Sequence, residues 1–234
     1  MLADLKEAVY KANLDLARSG LIIMTFGNVS GIDRRKGIVA IKPSGVAYDA
    51  LKADDIVLVD LEGQVVEGWL NPSSDTATHA EIYKAFPDVG GVAHAHSVYA
   101  TMFAQARREI PCLGTTHADH FHGPIPLTRF LVEAEVAAGY EANTGRVIVE
   151  RFAGLDPLAL PGVLVAGHGP FAWGRTPAEA VETAVVLEQV AKMAHGALAL
   201  DPRLAPLDRP IAEKHYSRKH GPDAYYGQKK ENRS

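Results

Sequence analysis

A single cysteine, Cys112, occurs in 234 residues, which excludes an intrachain disulfide and any zinc site built on several thiolates. No stretch approaches the ~18 consecutive apolar residues of a membrane-spanning helix. The N-terminus carries Asp4, Lys6 and Glu7 where a signal peptide needs an apolar run, so the expected compartment is the cytoplasm. Cations are not in excess: 24 Lys and Arg stand against 28 Asp and Glu, a net charge of -4, which gives no ground for nucleic acid or an anionic membrane as partner. A Pro/Ser-rich linker, an internal repeat and a low-complexity block are all missing, so one domain spanning residues 1–234 is expected. The bias that exists is local, with Lys214, Arg218, Lys219, Lys229, Lys230 and Arg233 gathered near the C-terminus.

What is present centres on Gly90-Gly91-Val92-Ala93-His94-Ala95-His96, an apolar strand-like run ending in His-x-His. In a strand, side chains two apart leave the same face with Cα atoms ~6.5 Å apart, so both imidazoles can reach one metal ion. A bare His-x-His is more often a pair of half-buried histidines bonded to carbonyls. A third candidate strengthens the metal reading: Val163-Leu164-Val165 leads into Gly167-His168-Gly169-Pro170, a turn that exposes an imidazole and lets backbone come close. Three neutral imidazoles leave a coordination position open, as in a catalytic zinc site. Mn²⁺ and Co²⁺ would fit the same donors.

Periodicity predicts a helix from Leu2 that stops at Ser19-Gly20, strands at Gly37–Ile41, Ile56–Asp60, Gln64–Glu67, Val147–Glu150 and Val163–Val165, and helices after Asp75, from Ser97 or Val98 to Ala106, and from Thr176 to about His195. The order predicts a central mixed or antiparallel sheet flanked by helices, an α/β fold. Two turns are suited to a phosphate: Lys42-Pro43-Ser44-Gly45 offers a hydroxyl, a glycine N–H and an ammonium, and Ser73-Ser74 precedes a helix start whose free N–H groups favour an anion. With Gly27-Asn28 they form an anion cradle only if the fold unites them. Asp75 reads either as an N-cap or as a carboxylate near the metal, and His79 as structural.

Thr115–Gly123 contains His117, Asp119, His120 and His122, open to three readings: a second metal site, a surface segment, or a site edge where Asp119 transfers protons. The tail from Glu213 to Gly227 is rich in His and Tyr. A tyrosine with cations nearby can act as a general acid; the alternative is plain packing.

Taken in order, Gly27-Asn28-Val29-Ser30, Lys42-Pro43-Ser44-Gly45-Val46, Pro72-Ser73-Ser74-Asp75-Thr76, His94-x-His96-Ser97, Gly114-Thr115-Thr116-His117-Ala118-Asp119, Thr144-Gly145-x-Val147-Ile148-Val149-Glu150, Gly167-His168-Gly169-Pro170-Phe171-Ala172-Trp173-Gly174 and the tail from Lys214 through Tyr225-Tyr226-Gly227-Gln228 resemble the epimerase branch of the class II aldolase family. The resemblance spans nearly the whole chain. It implies a zinc-dependent epimerase interconverting L-ribulose 5-phosphate and D-xylulose 5-phosphate, with His94, His96 and His168 as metal ligands and Asp75 at or beside the metal. It further implies that Gly27, Asn28, Ser44, Gly45, Ser73 and Ser74 hold the sugar phosphate, and that Asp119 and Tyr226 form an acid/base pair. It also implies a homotetramer that places both in a site whose metal belongs to an adjacent subunit, with the tail, from about residue 211 to 234, bringing Tyr226 there. The C4 hydrogen of a 2-ketopentose is not α to the carbonyl, so retro-aldol cleavage of C3–C4 is the expected route. A lyase of this family would have a glutamate at the place of Asp75, and an adducin-like non-catalytic module would lack the histidines; both remain as alternatives, the lyase the nearer.

Overall fold

A computed structural model describes residues 2–227; Lys229, Lys230, Arg233 and the last part of the expected tail lie outside the described residues. In chain order the elements are α1 (Leu2–Arg18), β1 (Asn28–Asp33), β2 (Ile38–Ile41), β3 (Val57–Asp60), β4 (Val65–Glu67), α2 (Thr76–Ala85), β5 (Gly91–His94), α3 (Val98–Gln105), α4 (Thr115–Ala118), α5 (Glu133–Arg151), β6 (Gly162–Leu164), β7 (Pro170–Gly174), α6 (Pro177–Leu200) and α7 (Arg209–His220). The strands form one sheet in the order β4-β3-β2-β1-β5-β7-β6. Every strand pair is antiparallel, which resolves the mixed-or-antiparallel expectation.

The register explains the layers. Gly31, Gly91 and Gly174 are neighbours across β1, β5 and β7. A Cβ at Gly91 would lie 2.5 Å from Pro177 and one at Gly174 2.5 Å from Glu179, so this bare row lets the start of α6 rest directly on the sheet. Helix α1 packs on the same face through Val9, and its Asn13 amide brackets the backbone of Val29, accepting from its N–H and donating to its carbonyl. On the opposite face the row Ser30, Val92 and Trp173 meets α2, where the Ser30 hydroxyl lies 2.7 Å from His79 Nδ1 and 2.8 Å from the Tyr83 phenol. The next row on that face is Asn28, His94 and Phe171, and it becomes the floor of the site.

Several expectations need correction. Val147–Glu150 is not a strand but the last turns of α5. Asn143, Thr144, Val147 and Ile148 are buried at helical spacing where α5 packs against α2, so tertiary packing overrides the β-propensity of the Val-Ile-Val run. The expected turn at 167–170 leads into a strand that was not expected, Pro170–Gly174, its proline at the first position where a missing N–H costs no ladder bond. Helix α6 continues past His195 to Leu200, and Thr115–Ala118 is a short helix rather than a loop. Thr176 caps α6, accepting from the Glu179 N–H at 3.2 Å, while the Glu179 carboxylate accepts from the Arg175 N–H at 2.8 Å. Among the described residues no helix is long and apolar enough to cross a membrane.

Candidate active site

His94 ends β5 and His96 lies just beyond the strand, yet their Nε2 atoms are 3.1 Å apart, and His168 Nε2 from the β6–β7 turn is 3.1 Å from that of His96. Among the described residues this is the one group of three that could hold a metal ion; His117, His120 and His122 form no such group. His94 Nδ1 is 2.9 Å from the Pro170 carbonyl, which accepts its proton and leaves Nε2 for a metal, while the ring stacks on Phe171 at 4.1 Å. Burial, then repulsion from His94, holds His96 below the ordinary imidazole pKa, and burial with both neighbours lowers His168 to about 4. Neutral imidazoles are the form a metal takes, so the donor set fits Zn²⁺ or a similar borderline ion.

The two Ser/Gly turns do meet. The Ser44 N–H donates to the Asn71 carbonyl and the Ser73 N–H to the Lys42 carbonyl, tying the turns together beside α2. Gly27, Asn28, Ser44, Gly45, Ser73, Ser74, Asp75, His94, His96 and His168 all line one cavity of about 380 Å³. Gly27 is at φ 92°, and a Cβ there would lie 2.6 Å from the His94 carbonyl oxygen, so only glycine fits without strain. Asp75 occupies the N-cap position of α2 but makes no capping bond. Instead it accepts from Asn28 Nδ2 at 2.7 Å. Burial alone would raise its pKa, but the His94 and His79 imidazoles and the Asn28 bond outweigh it and leave the carboxyl below its usual value. His79 is fully buried and bonded to Ser30, as a structural residue would be.

Lys42, Phe26, Tyr140 and Glu141 also line the cavity. The lysine had been noticed only as a nearby ammonium, and Tyr140 and Glu141 were missed. Their one local signal is Gly139 inside a helical pattern, where α5 breaks at φ 142°, ψ 96°.

Asp119 and Tyr226 are elsewhere. Asp119 follows α4 and accepts from Arg218 Nε at 2.9 Å, Arg218 Nη2 at 2.6 Å and His215 Nδ1 at 3.1 Å. Burial pushes its pKa up, and these bonds more than reverse that, so it is an anion at neutral pH. The Arg218 guanidinium and the Lys219 ammonium sit 4.9 and 4.5 Å from the centre of the exposed Tyr226 ring. Neither Asp119 nor Tyr226 lines the imidazole cavity of its own chain. A larger cavity of about 480 Å³, between α6 and α7, contains His120, His220, Asp156 and Tyr216 without a converging ligand set, so size does not locate the chemistry here.

The model of the class II aldolase and adducin N-terminal domain matches residues 7–195. L-ribulose-5-phosphate 4-epimerase UlaF of Salmonella paratyphi C (strain RKS4594) is 57% identical over 228 residues, covering 97% of this chain and 100% of the relative, and the protein of that name from Salmonella choleraesuis (strain SC-B67) matches equally. Among solved structures, an L-fuculose 1-phosphate aldolase superposes with a TM-score of 0.77 at 28% identity, covering 92% of this chain and 95% of the other. The aldolase of that name from Glaciozyma antarctica PI12, at 21% identity with a TM-score of 0.75 over 92% of this chain and 81% of the other, shares the fold. A match over most of the chain and relatives aligned over nearly its whole length lead to one assignment: the chain belongs to the class II aldolase and adducin N-terminal domain family.

Proposed function

We propose that the protein is a cytoplasmic, metal-dependent isomerase that interconverts L-ribulose 5-phosphate and D-xylulose 5-phosphate by breaking and remaking C3–C4. The observation that carries this reading is the meeting, in one cavity, of three imidazoles and two Ser/Gly turns, in a chain 57% identical to proteins named as that epimerase. His94, His96 and His168 would hold the ion, with Asp75 beside it; Zn²⁺ suits them best, and Mn²⁺ or Co²⁺ would serve. When bound, the metal supplies Lewis-acid stabilisation of the charge that cleavage leaves on the ketone half.

The chain's own residues do the rest. Ser44, Gly45, Ser73 and Ser74, with the Lys42 ammonium, hold the phosphate, so that glycolaldehyde phosphate stays tethered when C3–C4 breaks. Gly27 lets backbone come close, and Asn28 holds Asp75 at 2.7 Å while its own Oδ1, buried and unpaired, is ready to accept a sugar hydroxyl. In the cleavage direction a base takes the proton from the C4 oxygen, C4 becomes an aldehyde, and the C3–C4 electron pair passes to the ketone half. The aldehyde rotates, is attacked on its other face, and its oxygen is reprotonated from the opposite side. Two proton-transfer groups are needed, and Asp119 and Tyr226 are assigned to them.

Because that pair lies away from its own chain's cavity, it serves the cavity of an adjacent copy in a homotetramer. The exposed Phe26 at this cavity and Phe130 against Gly167, beside His168, support an apolar contact there. Asp75 in place of the lyase glutamate favours the epimerase over an aldolase, since a shorter carboxylate reaches the ketone half less readily to protonate carbon.

The test is to incubate metal-assayed protein with L-ribulose 5-phosphate and identify the products. Metal-dependent D-xylulose 5-phosphate with little free dihydroxyacetone is expected. Dihydroxyacetone and glycolaldehyde phosphate as main products would make the protein an aldolase, and a metal-loaded protein with no turnover would end the epimerase reading.

A further inference from the structure

The imidazoles of the cluster are not held alike. His94 has a carbonyl at its Nδ1, a rigid acceptor fixed by strand β7. His168 stands on the turn between β6 and β7, and the group against its Nδ1 is instead a side chain, the Tyr140 phenol at 3.4 Å, with the rings 6.2 Å apart. Its other nitrogen faces His96.

Tyr140 is there because α5 is broken. At Gly139 the helix leaves helical geometry, and side chains bond the carbonyls on either side of the break. Asn143 Nδ2 donates to the carbonyls of Glu135 at 2.7 Å and Gly139 at 3.0 Å. Thr144 Oγ1 donates to the Tyr140 carbonyl at 2.8 Å, and Thr78 Oγ1, from α2, to that of Glu141 at 2.7 Å. Four side-chain bonds on one break make it a built feature, and its product is a phenol held over the cavity wall.

We propose that Tyr140 is the positioning residue of His168: its phenol oxygen accepts the Nδ1–H, fixing the tautomer that presents Nε2 to a metal and holding the ring against rotation. The inference rests on the metal reading of the cavity. A ligating histidine needs such a partner, and on an exposed turn without a carbonyl in place the phenol is what this chain provides.

Tyr140→Phe tests it, since only the oxygen is removed. Co²⁺ and Zn²⁺ affinity, measured against a chromophoric chelator, should fall about 10-fold; loss of an outer partner typically costs about 10- to 100-fold, and 3.4 Å is long enough to place the effect at the low end. The visible absorption of bound Co²⁺ should shift, and ¹⁵N NMR of the metal-free variant should show His168 as mixed tautomers where the unmutated chain shows Nδ1–H. In a His168→Asn background the same change should have no further effect on Co²⁺ affinity. Unaltered Co²⁺ affinity and spectrum in Tyr140→Phe, or an equal loss with and without His168, would overturn the inference alone. Failure of the unmutated protein to take up Co²⁺ or Zn²⁺ would overturn the metal reading and this inference with it.

Discussion

Lys42 is the residue whose replacement separates stability from function most cleanly. It is 2% exposed, its ammonium 2.6 Å from the Val46 carbonyl oxygen, 3.3 Å from that of Pro43 and 4.7 Å from the centre of the Tyr48 ring. Burial lowers its pKa from 10.5 to about 8. That drop corresponds to about 3 kcal/mol of cost for keeping the cation in the folded chain. Between pH 8 and 10.5 the unfolded chain holds this proton and the folded chain does not, so the group's contribution to stability rises with pH across that window. Below about pH 8 the cost is present in full. Lys42→Met keeps the stem and removes the charge. Two carbonyls then lose a donor, a loss of about 1–2 kcal/mol, which leaves the variant about 1–2 kcal/mol more stable than the parent at pH 7. At about 2–4 °C per kcal/mol for a chain of this size, its thermal midpoint should rise by roughly 2–8 °C. The same variant should bind inorganic phosphate and sugar phosphate at least about 10-fold more weakly, having lost the one ammonium in the cavity lining. Thermal scans from pH 7 to 10, with phosphate binding followed by calorimetry, read both effects. A variant less stable at pH 7, by a margin that stays constant towards pH 10, would refute the argument that burial strains this lysine.

Three further outcomes are expected. His96→Asn should lose metal and activity, Tyr226→Phe should keep metal and lose most activity, and equal mixing with subunit exchange should restore about a quarter of full activity, since each site then needs a tail donor and a metal donor of the right kind side by side; no recovery despite proven exchange would place both groups within one chain. Gly27→Ala forces a left-handed φ on alanine and a Cβ 2.6 Å from the His94 carbonyl oxygen, so denaturant unfolding should show a loss of about 2–4 kcal/mol together with weaker metal binding. Glu188, buried in α6, accepts from the N–H groups of Tyr99 and Ala100 at 2.8 and 2.9 Å at the start of α3, so Glu188→Ala should cost about 2–4 kcal/mol in the same assay, with Glu188→Gln milder.

How much could be read beforehand follows from how local each cause is. Alternation and turn chemistry announced β2 and the β3–β4 hairpin, and Thr176-Pro177 announced α6, because those signals lie within the segments they shape. Val147-Ile148-Val149 was misread because its conformation is decided by α2, some 65 residues earlier, whose surface buries an α-helical rather than an alternating set. The imidazoles were legible because residue type and spacing together are rare. Tyr140 was not, since its place depends on a helix break whose supporting bonds come from Asn143, Thr144 and Thr78. Asp119 was noticed for its neighbours in sequence, yet the bonds that define its charge come from His215 and Arg218, 96 and 99 positions further on.

The residues that break local rules are themselves informative. Gly27 adopts a φ that few residues tolerate, Lys42 is a buried cation, Asp75 sits at an N-cap without capping, and Asn28 buries an unpaired Oδ1. Each costs stability where it stands, and all four line the same 380 Å³ cavity. Away from the cavity His79 Nε2 and Thr101 Oγ1 are also buried without a partner, while Asn13 brackets Val29, Glu188 covers the start of α3, and the glycine row of β1, β5 and β7 fits α6 closely. The four exceptions at the cavity share one chemical setting. They fall where a phosphate would neutralise Lys42, a sugar hydroxyl would pair with Asn28, and a metal would draw on Asp75 and the imidazoles, so the ligands complete contacts that the protein alone leaves open.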